Sequence, residues 1–262
     1  MNGRPADAVA AERALAGIPG FGHAQIEIQL SDGPTNASYR VAHEGRHFVL
    51  RLDKPGAASL GLNRHNEERV TRVVAAAGLA LEPLYFDPEA GLYLRRFLPG
   101  RSWTGADLAC PENLSRLARR LRTLHSLPPV GEAFDPLAAA ERYDGQLASA
   151  ESRSILERAR LQAQAIGADS SPPVLCHNDL VCQNILESDD LMLIDWEYAA
   201  VGDPFFDLAV IVQHHDVAPA PAELLLRAYL QDSFSADAVT RLQRQCSFYQ
   251  SLLQLWTLRV QP

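Results

Sequence analysis

Residues 174–209 constrain this chain more than any other stretch. They read Val-Leu-Cys-His-Asn-Asp-Leu-Val-Cys-Gln-Asn-Ile-Leu, then the polar segment 187–190, then Leu-Met-Leu-Ile-Asp-Trp-Glu-Tyr, and they close on Gly-Asp-Pro-Phe-Phe-Asp-Leu-Ala. The apolar runs are short and strand-like, and polar residues stand inside them at fixed intervals. Asp179 follows His177 by two, Asn184 follows Asp179 by five, and Asp195 ends the run Leu191-Met192-Leu193-Ile194. A short loop with that spacing presents Asp179 at its tip and returns Asn184 toward the same side. A hairpin running from Ile185-Leu186 through the polar turn 187–190 to 191–194 brings Asp195 beside them.

Such a set has a chemical logic. Moving a phosphoryl group onto a hydroxyl needs a carboxylate to orient and deprotonate that hydroxyl, and oxygen ligands to hold Mg²⁺ against nucleotide phosphates. Asp179 suits the first task, and Asn184 and Asp195 suit the second, because Mg²⁺ prefers carboxylate and amide oxygens. His-x-Asp-x-x-x-x-Asn followed by a second Asp is the order of a kinase catalytic loop and its metal-binding Asp. Taken singly, each of these residues reads as a turn former or a cap; the order and spacing of the set carry the argument.

His177-Asn178-Asp179, Asn184 and Asp195-Trp196-Glu197-Tyr198 together resemble the choline/ethanolamine kinase and aminoglycoside phosphotransferase superfamily, in particular its bacterial choline kinase and thiamine kinase branch. The resemblance spans roughly residues 33–256. It implies an α+β, bilobal, protein-kinase-like fold, with a small antiparallel-sheet N-lobe (1–98) and a larger, mainly helical C-lobe (99–262). It also implies ATP and Mg²⁺ as cofactors.

Composition limits the alternatives. Hydrophobic residues make up 47% of the 262 and charged residues 21%, enough for a full core in one bilobal domain. The net charge of −8 argues against a polyanion partner, so no nucleic acid is expected. It suits a cationic small molecule. Cys110, Cys176, Cys182 and Cys246 form no zinc or paired pattern and read as free thiols of a reducing compartment. The first residues lack a long apolar core, so no signal peptide is expected. No apolar run approaches the length of a membrane span. A cytoplasmic protein with no membrane partner is expected.

In the N-terminal part the pattern predicts a short helix over 7–15, stopped near Gly17 and Pro19-Gly20, and strands over 26–30, 39–42, 47–52, 84–86 and 92–97. Turn formers fill 31–38, and small residues there let backbone N–H groups approach phosphates. This segment resembles the G-x-T-N-x-x-Y-x-V nucleotide loop of choline kinases, which assigns Gly33, Thr35, Asn36 and Ser38 to nucleotide binding. The cation that pairs with phosphates in kinases falls at Arg51, a variant that the resemblance accommodates. Its partner on the helix over 63–77 is Glu67, from the pattern N-R-x-x-E. Leu98-Pro99-Gly100 breaks the strand pattern and is expected to be the hinge, with the main chain at Phe97 and Leu98 binding adenine.

Beyond the hinge the chain reads as helical. Leu114, Leu117, Leu121 and Leu124 make one helix face over 111–124, and His125 at its end is read as structural. A helix over 137–166 is expected to break near Tyr143-Asp144-Gly145, and Ser170-Ser171-Pro172-Pro173 leads into the catalytic stretch. After Gly202-Asp203-Pro204 a helix follows with no room for an activation loop. Asp207 is assigned structural support, His177 orientation of the loop, and Glu197 either contact with Mg²⁺ or substrate or a surface role. Two helices are expected over 220–262. Their stripe of Tyr249, Leu252, Leu253 and Trp256 reads as core packing or as a cation-binding wall. The W-x-x-W pair of choline kinases is represented here by Leu253 and Trp256, so Tyr249 and Trp256 are the aromatic substrate candidates. The expected activity is transfer of the ATP γ-phosphoryl to the hydroxyl of an amino alcohol such as choline or ethanolamine. Thiamine is the second candidate and an aminoglycoside the third, and a nucleotide-binding pseudokinase is the rival of another class.

Overall fold

The structure, a computed structural model, describes residues 6–167 and 172–260. Three readings fall partly outside it: residues 1–5 of the N-terminal segment, Ser170-Ser171 of the linker, and residues 261–262 of the last helix. The chain forms two compact units, 1–99 and 100–262.

The first unit is an antiparallel sheet flanked by helices. Its strands are β1 (Gln25–Asp32), β2 (Asn36–His43), β3 (Arg46–Asp53), β4 (Pro83–Asp87) and β5 (Leu92–Arg96), in the order β1-β2-β3-β5-β4. Along β2 the side chains of Ala37, Tyr39 and Val41 are buried and those between them are less so, the period of two that a one-sided core demands. Helix α1 (Ala6–Gly17) lays Ala11 and Leu15 on that face, together with Ile18, against Phe48, Leu50 and Leu94. Helix α2 (Arg64–Ala76) starts where the Asn63 side chain accepts the Asn66 N–H at 3.1 Å. Just past its end comes Gly78 at φ +71.

The turn over 31–38 is shorter than its composition suggests. Strand β1 runs through Asp32 and β2 begins at Asn36, leaving only 33–35 as loop. Register explains the difference. Asp32 pairs with Ala37 and Asn36 with Asp53, so ladder hydrogen bonds outweigh the turn preference of Asn36 and Ser38. At the far end β5 stops at Arg96, and Phe97 lies just beyond, its N–H still donating to the His47 carbonyl at 2.9 Å.

The second unit is mainly helical: α3 (Pro111–His125), α4 (Pro136–Leu147), α5 (Ala150–Gly167), α6 (Pro204–His214), α7 (Pro219–Leu230) and α8 (Ala236–Val260). Short strands β6 (Arg101–Ser102), β8 (Ile185–Glu187) and β9 (Leu191–Leu193) form one sheet. Strands β7 (Val174–Cys176) and β10 (Ala200–Gly202) form another. The break expected near Gly145 lies further on. Helix α4 runs through Tyr143-Asp144-Gly145, and the chain turns at Ala148, φ +51. Ser149 and Ser152 then cap α5 reciprocally, Ser152 N–H to Ser149 Oγ at 3.0 Å and Ser149 N–H to Ser152 Oγ at 3.3 Å. A glycine inside a helix costs about 1 kcal/mol relative to alanine, less than the burial of Ala139, Ala140 and Tyr143 returns.

Candidate active site

The loop between β7 and β8 is held from behind. Asp207, the fourth residue of α6, is fully buried. Its Oδ2 accepts the His177 N–H at 2.9 Å and its Oδ1 the Asn178 N–H at 2.7 Å. His125 at the end of α3 meets the same Oδ2 through Nε2 at 3.1 Å and the Tyr229 hydroxyl through Nδ1 at 2.7 Å. His177 Nε2 donates to the Ile194 carbonyl at 3.0 Å, and the ring lies against Trp196 with centroids 4.5 Å apart. Burial lowers the His177 pKa despite the nearby Asp207, so a neutral imidazole ties the loop to the end of β9.

Within the loop, Asn178 takes the left-handed conformation (φ +63) that Asn tolerates, and its Nδ2 donates to the Tyr198 carbonyl at 3.0 Å. Asp179 and Asn184 meet directly: Asn184 Nδ2 donates to Asp179 Oδ2 at 2.9 Å and to the Asp179 carbonyl at 2.8 Å. With its nitrogen committed to Asp179, the Asn184 amide presents its oxygen on the other side. The Ile194 N–H donates to the Asn184 carbonyl at 2.9 Å, and Asp195 follows at φ +64.

The charges here are unbalanced. Burial, and then the negative charges of Asp195 and Glu197, raise the Asp179 pKa well above the carboxylate range, and the Asn184 hydrogen bond only partly opposes them. Carboxylates crowded together in this way are relieved by a proton or by a cation. The Asn184 amide oxygen and the Asp195 carboxylate are hard oxygen donors, the set Mg²⁺ selects. Burial pushes up the pKa values of the Cys176 and Cys182 thiols.

Aromatic side chains lie near these carboxylates. Glu197 is buried. Burial first, then the charge of Glu197 and the neighbouring Tyr143, raise the Tyr198 pKa, and the Trp256 side chain partly opposes them. Tyr249 on α8 is buried, and its hydroxyl meets His214 Nδ1 at 2.9 Å. Its pKa is raised by burial and by Asp179. Glu197 and Tyr249 therefore lie near Asp179, and Trp256 lies beside Tyr198, while Leu252 packs inward. Tyr143 and Tyr198 are two further aromatic neighbours that sequence reasoning missed. Tyr198 was visible in the Asp-Trp-Glu-Tyr run, but Tyr143 lay where a helix break was expected. Acidic and basic residues balance in the first unit, so the whole −8 falls on the second.

In the first unit Arg51 on β3 makes a two-pronged pair with Glu67 on α2, Nη1 to Oε1 at 2.6 Å and Nη2 to Oε2 at 2.8 Å. The guanidinium also lies over the Tyr93 ring, 5.2 Å from its centroid. Arg64 donates from Nη1 to Glu67 Oε2 at 2.7 Å and from Nε to Asp53 Oδ2 at 2.6 Å. Burial alone would raise the Glu67 pKa, but the charges and hydrogen bonds of Arg51 and Arg64 outweigh it and hold the group ionised. Arg64 and Asp53 were not singled out beforehand; Arg64 is the Arg of N-R-x-x-E. Thr35 and Asn36 are buried, with Asn36 Nδ2 on Thr35 Oγ1 at 3.0 Å, and the Gly33 N–H donates to the Asn36 carbonyl at 3.0 Å. Ser38 stands beside Arg51 in register. Phe97 is half-buried under the Arg40 guanidinium, 5.8 Å from its ring centroid, and Leu98 is half-buried next to it.

The family model described as "Phosphotransferase enzyme family" matches residues 27–241. Protein LicA of Haemophilus influenzae is 31% identical over 211 residues, covering 75% of this chain and 60% of LicA. The chain thus spans less than two thirds of that relative's length. A thiamine kinase of Shigella boydii is 28% identical over 190 residues, 69% of this chain and 64% of the kinase. Among solved structures, a choline/ethanolamine kinase family protein from Mesorhizobium loti superposes with a TM-score of 0.80 at 25% identity, over 95% of this chain and 85% of that one. The fold is accordingly the α+β, protein-kinase-like one, with an antiparallel sheet in its N-terminal part and helices in its C-terminal part.

Proposed function

From the premise that this chain belongs to the phosphotransferase enzyme family, we propose that it moves the γ-phosphoryl group of Mg-ATP to the hydroxyl of a small cationic alcohol, choline or ethanolamine first. The observation that carries this reading is the Asp179–Asn184 contact, with the amide nitrogen spent on Asp179 and its oxygen left for a cation.

In the proposed reaction Asp179 orients the acceptor hydroxyl. The acceptor oxygen bonds to the γ-phosphorus as the bond from phosphorus to the bridging oxygen breaks. ADP leaves with that electron pair, and the hydroxyl proton passes to Asp179, late in a loose transition state. Asn184 and Asp195 hold Mg²⁺, which supplies charge neutralisation on the phosphates when bound. Arg51, fixed by Glu67, and the loop with Gly33, Thr35, Asn36 and Ser38 hold phosphates. Phe97 and Leu98 receive the adenine. His177 and Asp207 keep the loop in shape.

Glu197, Tyr249 and Trp256 are assigned to the acceptor. Aromatic faces and carboxylates stabilise a quaternary or protonated amine, and the acidic balance of residues 100–262 supports a cationic acceptor. Thiamine is the second reading, favoured by the thiamine kinase relative.

The deciding experiment is ADP release from Mg-ATP with choline, ethanolamine, thiamine and an aminoglycoside in parallel, with Asp195→Ala as control. Saturable turnover with one acceptor, lost in the variant and on chelation of Mg²⁺, supports the reading and names the substrate. Tight Mg-ATP binding with no turnover on any acceptor supports the pseudokinase alternative instead.

A further inference from the structure

Helix α6 touches the catalytic loop a second time. The backbone N–H of Cys182 donates to Nε2 of His215 at 2.9 Å. His215 is the C-cap residue that directly follows α6. Cys182 opens the 3₁₀ turn Cys182–Asn184, and an N–H at the start of a helical turn has no partner within that turn. Cys182 is also buried, so water does not serve it.

A backbone N–H can only donate, so Nε2 of His215 must carry a lone pair. That dictates a neutral imidazole with its proton on Nδ1. The surroundings agree. Burial, then the adjacent His214, lower the His215 pKa, and only Asp216 on the same turn opposes them. His214 packs edge-on to His215 with centroids 4.9 Å apart, and is itself engaged by Tyr249 of α8. Across the bond the Cys182 thiol is uncharged, its pKa pushed up to about 11 by burial and then by Asp107.

We infer that His215 is a positioning residue that, with Asp207 eight residues earlier, makes α6 a two-point clamp on the loop carrying Asp179. Eight residues of helix span about 12 Å. Asp207 takes the N–H groups of His177 and Asn178 ahead of Asp179, and His215 takes that of Cys182 behind it. The second grip sets where Asn184 lies, because Asn184 closes the same 3₁₀ turn and reaches Asp179 through its amide. The kinetic consequence rests on the phosphoryl-transfer reading; the grip itself does not.

The test uses the full chain. By NMR-detected amide exchange, His215→Leu lowers the protection of the Cys182 amide about tenfold or more, the loss expected when one buried acceptor is removed. The amides of His177 and Asn178 change less than about twofold, since Asp207 still holds them. His215→Gln, whose side-chain oxygen accepts, restores most of the protection. With whichever acceptor turns over, kcat falls about tenfold in His215→Leu while KM for Mg-ATP stays within about twofold, and Gln rescues it. Unchanged Cys182 protection in His215→Leu overturns the inference whatever the kinase assay gives. Absence of turnover on every acceptor counts against the function reading and leaves the amide result to decide the clamp. Should the Leu variant not fold, ¹⁵N shifts of the wild-type imidazole still decide. An unprotonated Nε2 near pH 7.5 supports the clamp, and a protonated one overturns it.

Discussion

The N–H of Asn178 donates to Oδ1 of Asp207 over 2.7 Å, from a residue in the left-handed region at φ +63. Asp207 supplies acceptors to two consecutive N–H groups and to His125 with no water access. The shape of the loop before Asp179 thus depends on one carboxylate placed thirty residues away in sequence. Asp207→Asn leaves one oxygen for that work and sets an N–H₂ against donors. The expected loss is about 1–3 kcal/mol of stability, read by urea unfolding, with a fall in turnover larger than any change in KM for Mg-ATP.

Asp179→Asn keeps the size of the side chain and removes the base. Turnover is expected to fall about 10²–10⁴-fold, while Mg-ATP binding measured by calorimetry stays within about threefold. Near-normal turnover would remove Asp179 from the chemistry.

Glu67 is shared by Arg51 and Arg64 in the interior of the first unit. Removing its charge takes the shared carboxylate from two buried guanidinium groups and leaves Arg64 with Asp53, so Glu67→Gln is expected to cost about 3–5 kcal/mol and to raise KM for Mg-ATP. The pH dependence has a defined sign. The folded-state pKa lies below the ordinary value of 4.5, so the unfolded chain binds the proton more readily. The contribution of Glu67 is complete above that value and is lost as pH falls through the folded-state value. Denaturation midpoints taken at descending pH should fall more steeply in wild type than in Glu67→Gln.

Gly100 precedes β6 and passes close to β8. A Cβ there would run into the Glu187 carbonyl oxygen, a backbone atom that cannot swing aside. Gly100→Ala is expected to destabilise the protein by about 1–3 kcal/mol through forced backbone shifts. A melting temperature equal to wild type would contradict that packing.

Trp256 belongs to the proposed acceptor wall. Trp256→Ala should raise KM for a cationic acceptor by about 2–30-fold, the range of a cation–π contact of about 0.5–2 kcal/mol. KM for Mg-ATP should hold. An equal rise for both substrates would point to general loosening of α8.

The grouping of Asp179 with Asn184 was legible in order along the chain because the loop and the hairpin are local. Asp179, Asn184 and Asp195 lie within seventeen residues, and short strands with a polar turn can join them only in a few ways. The Arg51–Glu67 pair was legible through the N-R-x-x-E pattern, and Asp207 through its place after the Gly-Asp-Pro turn. The ends of elements were not. Asn36 and Ser38 read as turn formers, yet strand pairing drew them into β2. Gly145 read as a break, yet burial of the α4 face carried the helix past it. The grip of His215 on Cys182, the Arg64–Asp53 contact and the nearness of Tyr143 to Tyr198 have no local signature. Each depends on which face of one element packs on another. Sequence spacing states what the residues of a loop can do together, and only packing states which distant side chain satisfies the backbone that holds them.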